Sequence, residues 1–261
     1  MVGVTRAPAP LAVREVTVRF AGLTALDAVS FTVEPGSVHA VIGPNGAGKS
    51  TTFNVLSGVY RAASGTVHLG STELTGLAPH TIAGLGVART FQNLALPPHA
   101  TVAESLMLGR HRLTRAGFVA SGLRLPSATR ESHRHLERVR EIAEFIGLDR
   151  ELDFPAGALP YGKQKLVELG RALCMEPEVL LLDEPIAGMT ADERRRTAAV
   201  VAGVRDSLGI SIVMVEHDMG VVMRLADAVT VLDFGRRIAG GTPAEVQNDP
   251  AVVRAYLGAQ E

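Results

Sequence analysis

The chain has 261 residues, 46% of them apolar and 20% charged, enough for one large domain or a core with a subdomain, and too apolar to be disordered. Its 26 basic and 27 acidic side chains leave a net charge of −1, so the overall balance calls for no polyanionic partner such as nucleic acid, while a local phosphate site stays open. The single cysteine, Cys174, excludes a disulfide framework and a cysteine-based zinc site, and reads as a small buried apolar residue in a reducing compartment.

Residues 1–10, MVGVTRAPAP, hold no apolar segment of signal-peptide length and are expected to form a flexible Ala/Pro tail. Leu11–Phe20 and residues 29–33 alternate apolar and polar side chains, which predicts half-buried antiparallel strands. Val38–Ile42 (VHAVI) is an apolar run that stops at glycine, and Lys49–Leu56 follows as a helix; together they predict strand, Gly-rich turn and helix. Residues 66–69 predict another strand after the turn-like Ser64-Gly65.

Residues 101–145 are rich in Arg, Glu, His and Leu at helical spacing, broken by AGFVASGLRLPSA at 116–128, and predict a helical insertion. His111, His133 and His135 lie here without ordered carboxylate or cysteine partners, so a solvated basic face is expected rather than a metal site. Residues 163–175 predict a helix with one buried stripe through Leu166, Leu169 and Leu173, ended with the help of Pro177. Strand patterns return at Val179–Asp183, Ser211–Val215 and residues 229–232, separated by helical patterns. That alternation predicts a largely parallel α/β core covered on both faces. The longest apolar runs fall far below the roughly 20 residues that span a bilayer, so any membrane location is expected to come through a partner.

The strongest chemical signal is GPNGAGKST at 43–51, which satisfies the phosphate-binding P-loop pattern. The candidate cradle is Gly43, Pro44, Asn45, Gly46, Ala47, Gly48, Lys49, Ser50 and Thr51. Its glycines let backbone N–H groups turn toward phosphate, the following helix presents its positive end, and Lys49 places a point charge on the β and γ oxygens. Ser50 supplies a hydroxyl to magnesium. VLLLDEP at 179–185 ends an apolar strand in two acids: Asp183 would hold the metal through water, and Glu184 would orient and deprotonate the attacking water. Between them, LPYGKQ places a Gly-containing turn at a helix start, a second anion site in a chain whose own nucleotide already has a P-loop. It is therefore expected to face a nucleotide on another subunit.

GPNGAGKST, RTFQN, LPYGKQ with RAL, LLLDEP and VEHDM stand in the order and approximate spacing of ATP-binding cassette (ABC) nucleotide-binding subunits, and the chain resembles that family over nearly its whole length. RTFQNLAL, DEPIAGM, MVEHDMGVVM, ADAVTVLDFGRRIAGGTPAEV and DPAVVRAYLG look like the subgroup serving branched-chain and hydrophobic amino-acid importers, which also handle related small substrates.

The resemblance implies an α/β P-loop NTPase fold with a RecA-like core, an N-terminal antiparallel β subdomain and an α-helical subdomain. The division would be a tail at 1–10 and one ABC ATPase domain at 11–261, with 11–91 and 166–261 as core and 92–165 as helical subdomain. It implies ATP and Mg2+ as cofactors, a second ABC ATPase subunit, two transmembrane permeases, indirect work with an extracytoplasmic substrate-binding protein, and a peripheral place on the cytoplasmic face of the membrane. Phe20 resembles the aromatic that stacks on adenine, although from the residues alone it is equally a core Phe. Gln92 resembles the glutamine that reaches magnesium and the attacking water; its plain alternative is a surface amide. His217 resembles the switch histidine that contacts the γ-phosphate, or, without the other motifs, a strand-end His.

The segment Leu159, Pro160, Tyr161, Gly162, Lys163 and Gln164 departs from the usual Leu-Ser-Gly-Gly-Gln. It lacks the serine hydroxyl, and Pro160 has no N–H. Gly162 keeps a backbone donor, and Lys163 is a charged stand-in for the lost contact, whereas Lys165 is expected in solvent. Thr190 stands where an aspartate is common in the dimer-contacting loop. A related lipopolysaccharide-export ATPase would share every core motif. A soluble cassette acting on DNA or ribosomes would usually add a coiled coil or a second cassette.

Overall fold

The computed structural model describes residues 9–90, 96–97, 99–114 and 126–257. Gln92, the tail through residue 8 and most of the 116–128 stretch lie outside the described residues.

Two sheets organise the chain. β1 (Leu11–Phe20), β2 (Leu23–Val33), β4 (Ser64–Leu69) and β5 (Thr72–Glu73) form an antiparallel sheet in the order β2-β1-β4-β5. The second sheet has the order β10-β9-β3-β8-β7-β6, from β3 (Val38–Ile42), β6 (Val87–Arg89), β7 (Val179–Asp183), β8 (Ser211–Val215), β9 (Ala228–Asp233) and β10 (Arg236–Gly241). Its pairings are parallel except that of β9 with β10.

Every residue of β3, β7 and β8 is buried, as parallel strands covered on both faces require. Val38, Ala40 and Ile42 face one core with the helices, while Val41 faces the other with Leu11, Val13 and Phe53. The helix α1 (Lys49–Leu56) is thereby packed into the layer between the two sheets.

The strand at 29–33 extends back to Leu23. Its pairing with β1 passes through register shifts, with Glu15 and Ala28 at positive φ, and these bulges break the alternation that would mark one long strand. β6 has only three residues, and β10 (RRIAGG) is polar and half-exposed at the sheet edge, so neither carries an apolar run.

α2 (Pro79–Gly84) buries Ile82 in the core shared with α1, and on the helical side lie α3 (Val102–Arg110), α4 (Pro126–Phe145), α5 (Tyr161–Leu173), α6 (Ala191–Leu208), α7 (Met219–Leu225), α8 (Pro243–Gln247) and α9 (Pro250–Leu257). α3 begins with a reciprocal capping box between Thr101 and Glu104. His111 and His133 are exposed as expected, but His135 is not. It is 8% exposed, and its Nδ1 accepts from Arg110 Nε at 3.1 Å. Arg110 is itself buried and also donates to Cys174 O at 3.0 Å and Glu176 Oε1 at 2.7 Å. A buried guanidinium needs several acceptors, and the His135 Nδ1 is one of them. Cys174 is buried, and its thiol is pushed up to about 12 by that burial.

Lys165, expected in solvent, is 7% exposed, with its ammonium 5.9 Å from the centre of the Tyr161 ring. Its helix packs on the core across the stripe that holds Leu166 and Leu169, which carries the lysine stem inward with it. Among the described residues no helix is long and apolar enough to cross a membrane.

Candidate functional site

The loop after β3 leaves the sheet at Gly43, whose φ is +151°; a Cβ there would lie 2.1 Å from Leu232 O on β9. Gly48 precedes α1 at φ +102°, and its Cβ would meet Leu26 Cδ2 at 2.7 Å and Ala25 O at 2.9 Å. Both turns therefore demand glycine. No side chain caps α1 and its first turn holds no acid, so its leading N–H groups keep the positive end of the helix available to an anion.

This loop lines an open cleft of about 590 Å³ together with Phe20, Glu184, His217 and Phe234. The cleft brings together Phe20, Asn45, Gly46, Ala47, Gly48, Lys49, Ser50, Thr51, Glu184 and His217 from the sequence-predicted set. Lys49 Nζ donates to Gly43 O at 2.6 Å and Pro44 O at 2.8 Å, so these two residues hold the lysine while lying outside the cleft lining. Burial lowers the Lys49 pKa, and the Glu184 carboxylate opposes that shift.

Glu184 sits at the end of β7 with φ +48°, a strained value for a non-glycine, and its N–H donates to Val215 O at 3.0 Å. Its Oε1 lies 2.9 Å from His217 Nε2. Phe20 is 41% exposed and meets Tyr60 edge-to-face at 5.0 Å, which makes it a cleft-wall aromatic rather than a core one.

Asp183 stands behind this cleft. It is 4% exposed, and its Oδ2 accepts from Arg89 Nη2 at 2.9 Å. Arg89 also donates from Nη1 to Asn54 Oδ1 at 2.7 Å and Ser57 Oγ at 2.9 Å, and its guanidinium lies 5.7 Å from the Phe53 ring centre. One fork thus ties β6 and β7 to the P-loop helix. Among the described residues no three His, Cys, Asp or Glu cluster into a metal cage. Ser50 in the cleft and the single carboxylate Asp183 fit instead a magnesium ion that rides on phosphates, since this ion keeps waters and takes few protein ligands.

Leu159, Pro160, Tyr161, Gly162, Lys163 and Gln164 are not among the residues lining this cleft. Gln164 Nε2 donates to Leu159 O at 2.7 Å, closing the turn before α5. Lys163 pairs with Glu151. The Glu193 carboxylate, held well below the usual range chiefly by bonds from Thr190, also accepts from the Gly162 N–H. Thr190 caps α6 in a reciprocal box with Glu193, so the turn before α5 and the loop after Glu184 meet at one carboxylate.

Four contributors escaped the sequence reading. Arg89 was legible only as part of RTFQN, and Glu216 only as a polar residue ending an apolar strand. Phe234, 87% exposed at φ +42° beside Gly235, forms a cleft lip in the turn between β9 and β10. Tyr256 of α9 lies near the Gly43 backbone, and its hydroxyl pKa is raised, mainly by burial.

A family model described as ABC transporter matches residues 26–187, and one described as Branched-chain amino acid ATP-binding cassette transporter matches residues 236–261. The chain is 38% identical over 248 residues to the high-affinity branched-chain amino acid transport ATP-binding protein BraF of Pseudomonas aeruginosa, covering 95% of this chain and 97% of that protein. It is 39% identical, with the same coverage, to the corresponding protein LivG of Salmonella typhimurium. Among solved structures, an ATP-binding cassette of an ABC transporter in its ADP conformation superposes with a TM-score of 0.83 at 33% identity, over 96% of this chain and 99% of that one. A nucleotide-free cassette superposes with a TM-score of 0.82 at 32% identity, over 95% and 98%.

Proposed function

Because the chain belongs to the ATP-binding cassettes of ABC transporters, among the branched-chain amino-acid transport ATP-binding proteins, we propose that it hydrolyses ATP to power uptake of branched-chain or other hydrophobic amino acids, or of related small substrates. The observation that carries this reading is Glu184 Oε1, 2.9 Å from His217 Nε2, on the wall of a cleft that Lys49 and the first turn of α1 also line.

The triphosphate of ATP lies along the P-loop, where the unshared N–H groups of Gly46, Gly48 and α1 take its oxygens. Lys49 exchanges the carbonyls of Gly43 and Pro44 for β and γ oxygens, a short displacement of an ammonium already poised over the loop. Phe20 offers a flat face to the base. Glu184 orients a water and takes its proton as the water attacks the γ-phosphorus; His217 holds the γ-phosphate and keeps Glu184 in place. A magnesium ion would be held by Ser50, Asp183 and Gln92, and it would supply positive charge that neutralises the phosphates.

ABC cassettes work as dimers with membrane permeases. In this reading the LPYGKQ turn faces a second cassette's ATP, and closure is passed to two permeases fed by an extracytoplasmic binding protein, with the chain peripheral on the cytoplasmic face. No nucleic acid takes part. A groove lined by Pro97, Ala100, Glu104, Met107, Leu108 and His111, with Leu108 54% exposed, suits an apolar permease segment. The working division is a core at 11–91 and 166–261 with a helical subdomain at 92–165.

Glu184→Gln in the assembled complex tests the reading: turnover should fall by about 100-fold or more, the range of general-base catalysis, with ATP binding retained. Unchanged hydrolysis would overturn the assignment of Glu184, and failure of the reconstituted complex to take up any branched-chain or other hydrophobic amino acid or related small substrate would overturn the cargo.

A further inference from the structure

Glu216 directly follows β8 and precedes His217, yet it is 3% exposed, among the most buried charged side chains described. A carboxylate in such a place needs donors for both oxygens. Oε1 accepts from the Ile186 N–H at 3.2 Å, and Oε2 accepts from the His217 N–H at 3.3 Å. One donor therefore comes from the loop that begins with Glu184, and the other from the loop that begins with His217.

The intervening residue sharpens the point. Pro185 has no N–H, so after Glu184 the next backbone donor of that loop is Ile186. Glu184 N–H goes to Val215 O at 3.0 Å, and Ile186 N–H goes to the carboxylate of the adjacent Glu216. These two bonds pin the strained Glu184, at φ +48°, against the end of β8. Such a conformation persists only when its surroundings over-determine it. Beyond Ile186 the loop runs through exposed Ala187 and Gly188 to Thr190, the stretch that meets the α5 turn through Glu193.

We propose that Glu216 is a positioning residue for ATP hydrolysis: its carboxylate clamps the loop of Glu184 to that of His217, sets their 2.9 Å contact, and links this pair to the dimer-facing loop at residues 186–190. The inference deepens the ATPase reading and rests on it. Glu216 is not among the residues that line the cleft. Desolvation pushes its pKa up to about 7, and the carboxylates of Glu184 and Asp218 push the same way. An apolar side chain at this position would avoid that penalty but leave the Ile186 and His217 N–H groups unpaired, whereas the acid supplies two acceptors.

The test compares Glu216→Gln and Glu216→Met in the assembled complex. Gln keeps the shape but turns an NH2 group toward one of the two N–H donors, so one bond is lost; Met keeps the bulk and loses both. The expected result is a kcat lower by about tenfold for Gln and by more for Met, with KM for MgATP within about twofold, because the P-loop is untouched. Nucleotide affinity in a Glu184→Gln background should likewise be unchanged by either substitution, a readout that general loss of folding would move. An active wild type whose Met variant keeps its kcat, or whose kcat falls only together with nucleotide affinity, overturns the clamp alone. An inactive wild-type complex overturns the ATPase reading and this inference with it.

Discussion

Replacing Arg89 by Met removes the guanidinium paired with Asp183, a carboxylate whose side chain is 5% exposed. The guanidinium is itself 14% exposed and spends its fork on Asn54, Ser57 and Asp183 at 2.7, 2.9 and 2.9 Å. Breaking a buried pair from one side leaves an uncompensated charge, at a cost of about 3–5 kcal/mol. Asp183→Asn alone leaves Arg89 two neutral acceptors and an amide oxygen, a smaller loss of about 1.5–3 kcal/mol. In the double variant Arg89→Met with Asp183→Asn no buried charge is stranded, so its cost should fall short of the sum of the two singles by about 1.5 kcal/mol or more. Urea unfolding of the nucleotide-free protein, with divalent cations chelated, measures all three. Additivity within about 0.5 kcal/mol would refute the idea that Arg89 and Asp183 form one desolvated unit.

Three further outcomes are expected. Tyr256→Phe removes the buried hydroxyl that lies near the Gly43 backbone and should raise KM for ATP about fivefold with kcat and thermal stability nearly constant; an unchanged KM in steady-state kinetics would detach α9 from the P-loop. Glu216 has a folded pKa of about 7 against 4.5, so the folded state binds more protons between those values and stability falls as pH rises through that window. At about 1.4 kcal/mol per pH unit the loss reaches about 3 kcal/mol, and it should be present in wild type and absent from Glu216→Gln when both are followed by urea unfolding across pH 4.5 to 7; a parallel pH dependence in both would contradict it. Lys163 is engaged with Glu151 in a half-exposed pair, so Lys163→Ala should cost no more than about 1 kcal/mol of stability and leave ATPase activity in the complex within about twofold. A tenfold fall would show that the ammonium leaves Glu151 for the partner's γ-phosphate.

The P-loop, the acid pair and the strand–helix alternation were readable before any coordinates because each is a local device. GPNGAGKST needs its glycines within one turn, and VLLLDEP needs only a strand that is buried and then stops. Residues far apart in the chain that meet through packing were not readable in this way. Arg89 reaches Asn54 and Asp183 because β6 lies beside β7 and α1 beneath them. Glu216 becomes a clamp only because β8 places its end next to the loop after β7. Lys165 and His135 sit on polar-looking helices and are buried by neighbours more than 20 residues away in sequence or by the core itself, a fact that periodicity cannot carry. What short-range chemistry demands is written in neighbouring residues, so composition and spacing announced a phosphate-binding α/β ATPase. Which carboxylates are paired, which lysine is spent on Glu151 and which tyrosine lies near Gly43 depend on sheet order and helix docking, and only the folded chain sets those distances.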